Sequence, residues 1–157
     1  MKIRALTILT ILATGVSLHA DPVAASAADV AKGKSLFNLN CAVCHQITGA
    51  GIPGVFPSLV GSDWATGSEE RLVRVILNGV TGPLKVSGKP FNSTMPGFGP
   101  SGSKWTDDKI AAVATYIRQA WTNKAAAITA DAVKAIREKA EAGRTKPWTG
   151  VELEAIK

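Results

Sequence analysis

Cys41-Ala42-Val43-Cys44-His45 is the stretch on which the reading of this chain turns. Cys41 and Cys44 are three apart, so on a helical turn both thiols project to one side. His45 follows at once and adds an imidazole to the same turn. A thioredoxin-like pair would need a surrounding βαβ pattern, and no sustained alternation reads as strands. A structural zinc site wants four ligands, and no second cluster accompanies this one. A plain disulfide would leave His45 without a role.

C-x-x-C-H is the attachment signature of haem c. Two thiols on one turn can each add to a vinyl group along one edge of a porphyrin, while the imidazole reaches the iron. The second axial ligand follows from scarcity. The chain holds two His and two Met. His19 and Met1 fall in a leader, which leaves His45 and Met95. A lone Met is most often core filler. Met95, however, sits in Ser93-Thr94-Met95-Pro96-Gly97, a Pro/Gly-rich loop able to present sulfur from the face opposite His45. A His/Met pair is the ordinary ligation of such iron.

The leader reads Met1-Lys2-Ile3-Arg4, then an apolar run from Ala5 to Leu18 and small residues. Positive charge, a short apolar stretch and small residues mark a secretory signal peptide, residues 1–20, with Ala20 and Ala27 as cleavage points. An uncleaved anchor is the alternative. Export implies the periplasm, an oxidising compartment. Loss of Lys2 and Arg4 takes the formal net charge from +6 to +4 over about 137 remaining residues, one domain's worth. Basic residues are dispersed, so nothing reads as a nucleic-acid arm. Any membrane association is expected only through a respiratory partner.

Residues 29–44 are expected to be helical, with Val30, Gly33, Leu36 and Phe37 on one face. Gly33 suits a close crossing with a helix over 107–122, striped by Ile110, Val113, Ala114 and Ile117 and capped by Thr106. A third helix opens at Ser68 and ends at Asn78, with Gly79 following. Segments 46–63 and 79–104 read as loops, with at most a small hairpin between Val80 and Ser87. Their length fits chain wrapped around a large flat cofactor. In the tail, 124–157, a helix over 130–142 ends at Gly143, Pro147 breaks the chain, and Thr149-Gly150-Val151-Glu152 forms a capping box. The tail reads as a strap anchored by Trp148, with a docking element as the alternative.

These features resemble a class I (mono-haem) c-type cytochrome of the bacterial periplasm: Gly33 and Phe37, the Cys41–His45 motif, Pro57-Ser58-Leu59, Met95-Pro96 and Tyr116-Ile117. The resemblance implies an all-α cytochrome c fold over 29–123, three main helices around one haem c bound through Cys41 and Cys44, plus a C-terminal helical extension. It implies that the Pro57 carbonyl accepts a hydrogen bond from the His45 ring. The segment from Asn78 to Pro96 is similar to cytochromes that work beside periplasmic dehydrogenases or oxidases.

With both axial positions filled, the expected activity is one-electron transfer between redox partners, not bond-making catalysis. A haem-c subunit docked on a dehydrogenase or oxidase is the alternative. A peroxidase or gas sensor would require Met95 to leave the iron. From Arg71 to Thr106 there are five basic residues (Arg71, Arg74, Lys85, Lys89, Lys104) and no acid, which suggests a positive rim for a partner with an acidic docking surface.

Overall fold

The first helix, α1 (Ala27–Asn40), starts where Ser26 accepts a hydrogen bond from the Asp29 amide. The computed structural model describes residues 25–100, 102–140 and 144–156. The expected leader, and Glu141 to Gly143 at the end of the expected 130–142 helix, lie outside the described residues. α1 stops at Asn40, and one further turn, α2 (Ala42–His45), carries the motif. The expected 29–44 helix is therefore broken at Cys41, whose carbonyl accepts from the amides of Cys44 (3.2 Å) and His45 (2.9 Å).

α3 (Asp63–Thr66), which sequence reasoning missed, is capped by Ser62. α4 (Glu69–Asn78) is capped by Ser68 as expected. α5 (Asp107–Gln119) begins at Thr106, but the Thr106 hydroxyl makes no capping bond. The expected extension to 122 fails because Ala120 is already extended (ψ 160°) and Trp121 then turns the chain at φ 57°. α1 crosses α5 at Gly33, where an added Cβ would lie 2.1 Å from the Ala112 carbonyl oxygen. Phe37, Tyr116 and Trp121 pack as a trio of rings, with centroids 5.4–5.7 Å apart.

The all-α expectation needs one correction. Helices dominate, but the segment read as loop after Gly79 is a hairpin: β1 (Gly79–Val86) and β2 (Lys89–Pro96), antiparallel, with Val80 opposite Met95. The turn is Ser87-Gly88, both at positive φ, which matches the right-handed twist of the two strands. The hairpin's second strand thus starts beyond Ser87, where the sequence reading stopped. Met95 lies on a strand, not in a loop.

After α6 (Ala130–Ala140), the tail adds β3 (Trp148–Thr149), parallel to β1, and α7 (Gly150–Glu154). The Thr149/Glu152 capping box forms. Lys139 on α6 reaches Glu70 on α4 at 3.4 Å, and Arg74 shares that carboxylate. Among the described residues no helix is long and apolar enough to cross a membrane.

Arg118 ties these parts together. It is buried, and its guanidinium donates to the carbonyls of Ala126 (2.7 Å), Gly67 (3.0 Å) and Ala65 (3.4 Å). Burial pulls its pKa below the usual arginine value, which the charge of Glu69 partly offsets. Arg118→Met would remove all three bonds and leave the buried Ala65 carbonyl without this donor. Denaturant titration of the haem-loaded protein should register a loss of about 2–4 kcal/mol; a loss under about 0.5 kcal/mol would mean that these bonds are dispensable.

Candidate haem site

The site is a cleft walled by Leu59, Trp64, Leu72, Val75, Ile76, Val80, Leu84, Val86, Phe91 and Phe98, with Cys41, Cys44, His45, Pro57 and Met95 in the same lining. Every residue that the sequence nominated therefore meets in one place. Two core clusters supply the walls: one built on α1, α4 and α5, the other on the sheet and the tail. Met95 packs against both.

His45 is buried, at 9 % exposure. Its Nδ1 lies 3.0 Å from the Pro57 carbonyl oxygen, the contact implied by the resemblance. A carbonyl only accepts, so Nδ1 carries the proton and Nε2 keeps its lone pair for a metal. Burial lowers the His45 pKa, with a smaller opposing push from the Pro57 hydrogen bond. The ring is thus held neutral, the form that ligates iron.

Pro57 is placed by a tightly bonded loop. The Gly51 amide donates to the His45 carbonyl and the Leu59 amide to the Gly49 carbonyl, at 2.9 and 2.8 Å. Trp121 Nε1 donates to the Ile47 carbonyl at 3.2 Å. The buried Asn123 side chain accepts from the Gly61 amide and donates to the Leu59 and Ile117 carbonyls. On the other side, Gly79 (φ +76°) allows β1 to pass β2: a Cβ there would sit 2.2 Å from the Met95 carbonyl oxygen.

Among the described residues Cys41 and Cys44 form no disulfide, and both are half-buried. Burial first, then the neighbouring Cys44, pushes the Cys41 thiol up to about 12. Sequence reasoning missed Trp64, Leu84 and Phe91 as wall residues. Their signal is faint: Trp64 lies between the loop read over 46–63 and the helix that opens at Ser68, and the other two lie on strands interrupted by Pro83 and Pro90.

An apolar cleft with two thiols beside a neutral imidazole, and a thioether in the same lining, fits a haem in its donor set and in its walls. The class is therefore that of a mono-haem electron-transfer protein with its cofactor bound through thioethers.

The family model described as Cytochrome c matches residues 30–121. Cytochrome c-552 of Thermus thermophilus is 37% identical over 108 residues, spanning 63% of this chain and 79% of that protein. The fructose dehydrogenase cytochrome subunit of Gluconobacter japonicus is 37% identical over 110 residues, 67% of this chain and 22% of that protein. A cbb3-type cytochrome c oxidase subunit FixP from Bradyrhizobium is 40% identical over 91 residues, 56% of this chain and 29% of that protein. The chain belongs to the cytochrome c family. It binds haem c covalently and transfers electrons to and from redox partners.

Proposed function

We propose that this chain is a periplasmic one-electron carrier whose iron is held by His45 and Met95. In this reading residues 1–20 are a removable leader, 29–123 carry the haem, and 124–157 are an extension. The observation that supports it most is the shared cleft that unites Cys41, Cys44, His45 and Met95. The bound haem supplies an iron that cycles between ferric and ferrous. Cys41 and Cys44 tether it, the Pro57 carbonyl orients His45, and the apolar walls exclude water. Apolar surroundings and a soft thioether both favour the reduced state, which raises the potential. With His45 and Met95 both holding the iron, no position would be left for substrate, so the chain would act as a carrier and not itself as an enzyme.

The test is mass spectrometry of the exported protein. A periplasmic species lacking the leader and heavier by one covalent haem supports the reading; an unmodified mass in that fraction would sink it. The identity to a dehydrogenase cytochrome subunit favours a second reading, a carrier docked permanently on a larger enzyme. Co-purification with a dehydrogenase or oxidase would select it.

Docking follows from the surface. Arg71 lies over the Trp64 ring and donates to the Asp63 carbonyl, and Arg74 is engaged with Glu70 and Trp148. Of the five cations in the acid-free stretch, the exposed ones are Lys85, Lys89 and Lys104. Close to the motif in sequence, Leu39 (82%), Val43 (78%), Ile47 (66%) and Val55 (48%) are exposed, and no charged residue lies between Lys34 and Asp63. In this proposal the lysines steer an acidic partner and the apolar rim makes the contact. Lys85→Glu with Lys89→Glu should slow stopped-flow electron transfer about tenfold at low salt, and the difference should vanish at high salt. Rates that stay flat from low to high salt would remove steering.

A further inference from the structure

The two residues of β3 pair with Val80 and Thr81, the same β1 residues that face Met95 and Thr94 on β2. One transverse row of the sheet therefore reads Trp148–Val80–Met95. Cross-strand neighbours share a face, and all three meet in the second core cluster, Met95 at its edge. Without β3, the residue row that holds Met95 would lie in a two-stranded ribbon, which is marginal in water.

Trp148 is buried, and its Nε1 donates to the Asn78 side-chain oxygen at 3.0 Å. Asn78 ends α4 and directly precedes β1. The guanidinium carbons of Arg144 and Arg74 lie 3.4 and 4.8 Å from the Trp148 ring centroid. Arg144 also pairs with Glu152 at 3.0 Å, and Glu152 closes the capping box on Thr149. Behind them the fully buried Leu153 of α7 joins the same cluster. The last described segment is thus bolted to α4 and β1 at the row that presents the thioether.

We propose that Trp148 is a positioning residue for Met95: the C-terminal segment 144–156 holds the hairpin so that the sulfur stays within reach of the iron. The inference rests on Met95 being the axial ligand. It gives the extension a definite role, control of the population in which the sulfur is released. Such minor states are ordinarily populated at about 0.1–10 %, and an exogenous ligand binds in proportion to them.

The test uses the haem-loaded, full-length protein in four variants: Trp148→Ala, Trp148→Phe, Val133→Ala and Met95→Leu. Val133 is a fully buried residue of α6 in the other cluster, so its variant matches a loss of core packing without touching the sheet. Three readouts apply: the sulfur-to-iron charge-transfer band of the oxidised protein, the rate of CO binding to the reduced protein, and amide exchange at Val80 and Met95.

Trp148→Ala should weaken the band, speed CO binding about tenfold and accelerate exchange at both amides. Trp148→Phe, which keeps a ring but loses the bond to Asn78, should fall between Trp148→Ala and wild type. Val133→Ala should leave the band and the CO rate as they are. An unchanged band and CO rate in Trp148→Ala, with the band abolished in Met95→Leu, would overturn the positioning role and leave the ligand assignment standing. A band that survives Met95→Leu would overturn both. Equal changes in Trp148→Ala and Val133→Ala would reduce Trp148 to ordinary core packing. Should Trp148→Ala not take up haem, Trp148→Phe decides, and a wild-type CO rate in it overturns the inference.

Discussion

Met95→His is expected to lower the reduction potential by on the order of 0.2 V, inside the ~0.8 V span that axial ligation covers. A thioether is a soft, weak donor that favours ferrous iron, whereas a second imidazole is a stronger donor and stabilises ferric iron. In the proposed His45/Met95 ligation the substitution keeps a protein ligand at the position, so the shift reports donor chemistry more than entry of water. Met95 is half-buried, packed against both clusters, on a strand fixed in register by Val80. The apolar lining contributed by Val80, Phe91 and Phe98 is untouched, so its share of the potential stays constant. Potentiometric titration of the two haem-loaded proteins makes the comparison. Identical potentials and identical spectra would mean that the sulfur of Met95 does not bind iron.

The residues of this site were legible because their chemistry is rare. Outside residues 1–20, one His and one Met remain, and the Cys41–His45 motif leaves few alternatives. The helices were legible through their periodicity and caps: Ser68 opens α4, and Gly33 marks the crossing with α5. The sheet was not. Gly82, Pro83, Pro90 and Pro96 interrupt both strands, and such residues ordinarily argue against strand. The structure accommodates them because β3 covers only Val80 and Thr81, so β1 is itself an edge from Gly82 onward and β2 is an edge throughout. A proline there forfeits little pairing. The usable signal was the Ser87-Gly88 dipeptide between two segments of equal length. The role of Trp148 was legible only as an anchor. Its partners Asn78 and Arg74 are 70 and 74 residues distant in sequence, and the tail has no period that announces a third strand. Arg118 and Asn123 were missed for a related reason: their partners are backbone carbonyls and amides, which leave no pattern in side-chain composition.

Gly33→Val should be the most destabilising single substitution considered, at more than ~3 kcal/mol, about a hundredfold in the folding equilibrium. Gly in a helix interior ordinarily costs about 1 kcal/mol relative to Ala, so on propensity alone Gly33→Ala ought to stabilise α1. The crossing reverses that sign. A Cβ at Gly33 would meet the Ala112 oxygen at 2.1 Å, the Ala112 carbonyl carbon at 2.7 Å and the Tyr116 Cβ at 2.8 Å. The first two are backbone atoms inside α5 and cannot swing aside, so the helices must separate. Separation pulls Tyr116 away from Phe37 and disturbs Trp121, which packs on both rings. Trp121 also bonds the Ile47 carbonyl and lies against Gly49, both in the loop that begins directly after His45. The damage should therefore reach the site: in guanidinium titrations Gly33→Ala and Gly33→Val should both lose stability, valine more, and His45 should release the iron at lower denaturant than global unfolding requires. Wild-type stability in Gly33→Val would mean that α1 and α5 do not cross at this residue, and the coupling from crossing to haem loop would fall with it.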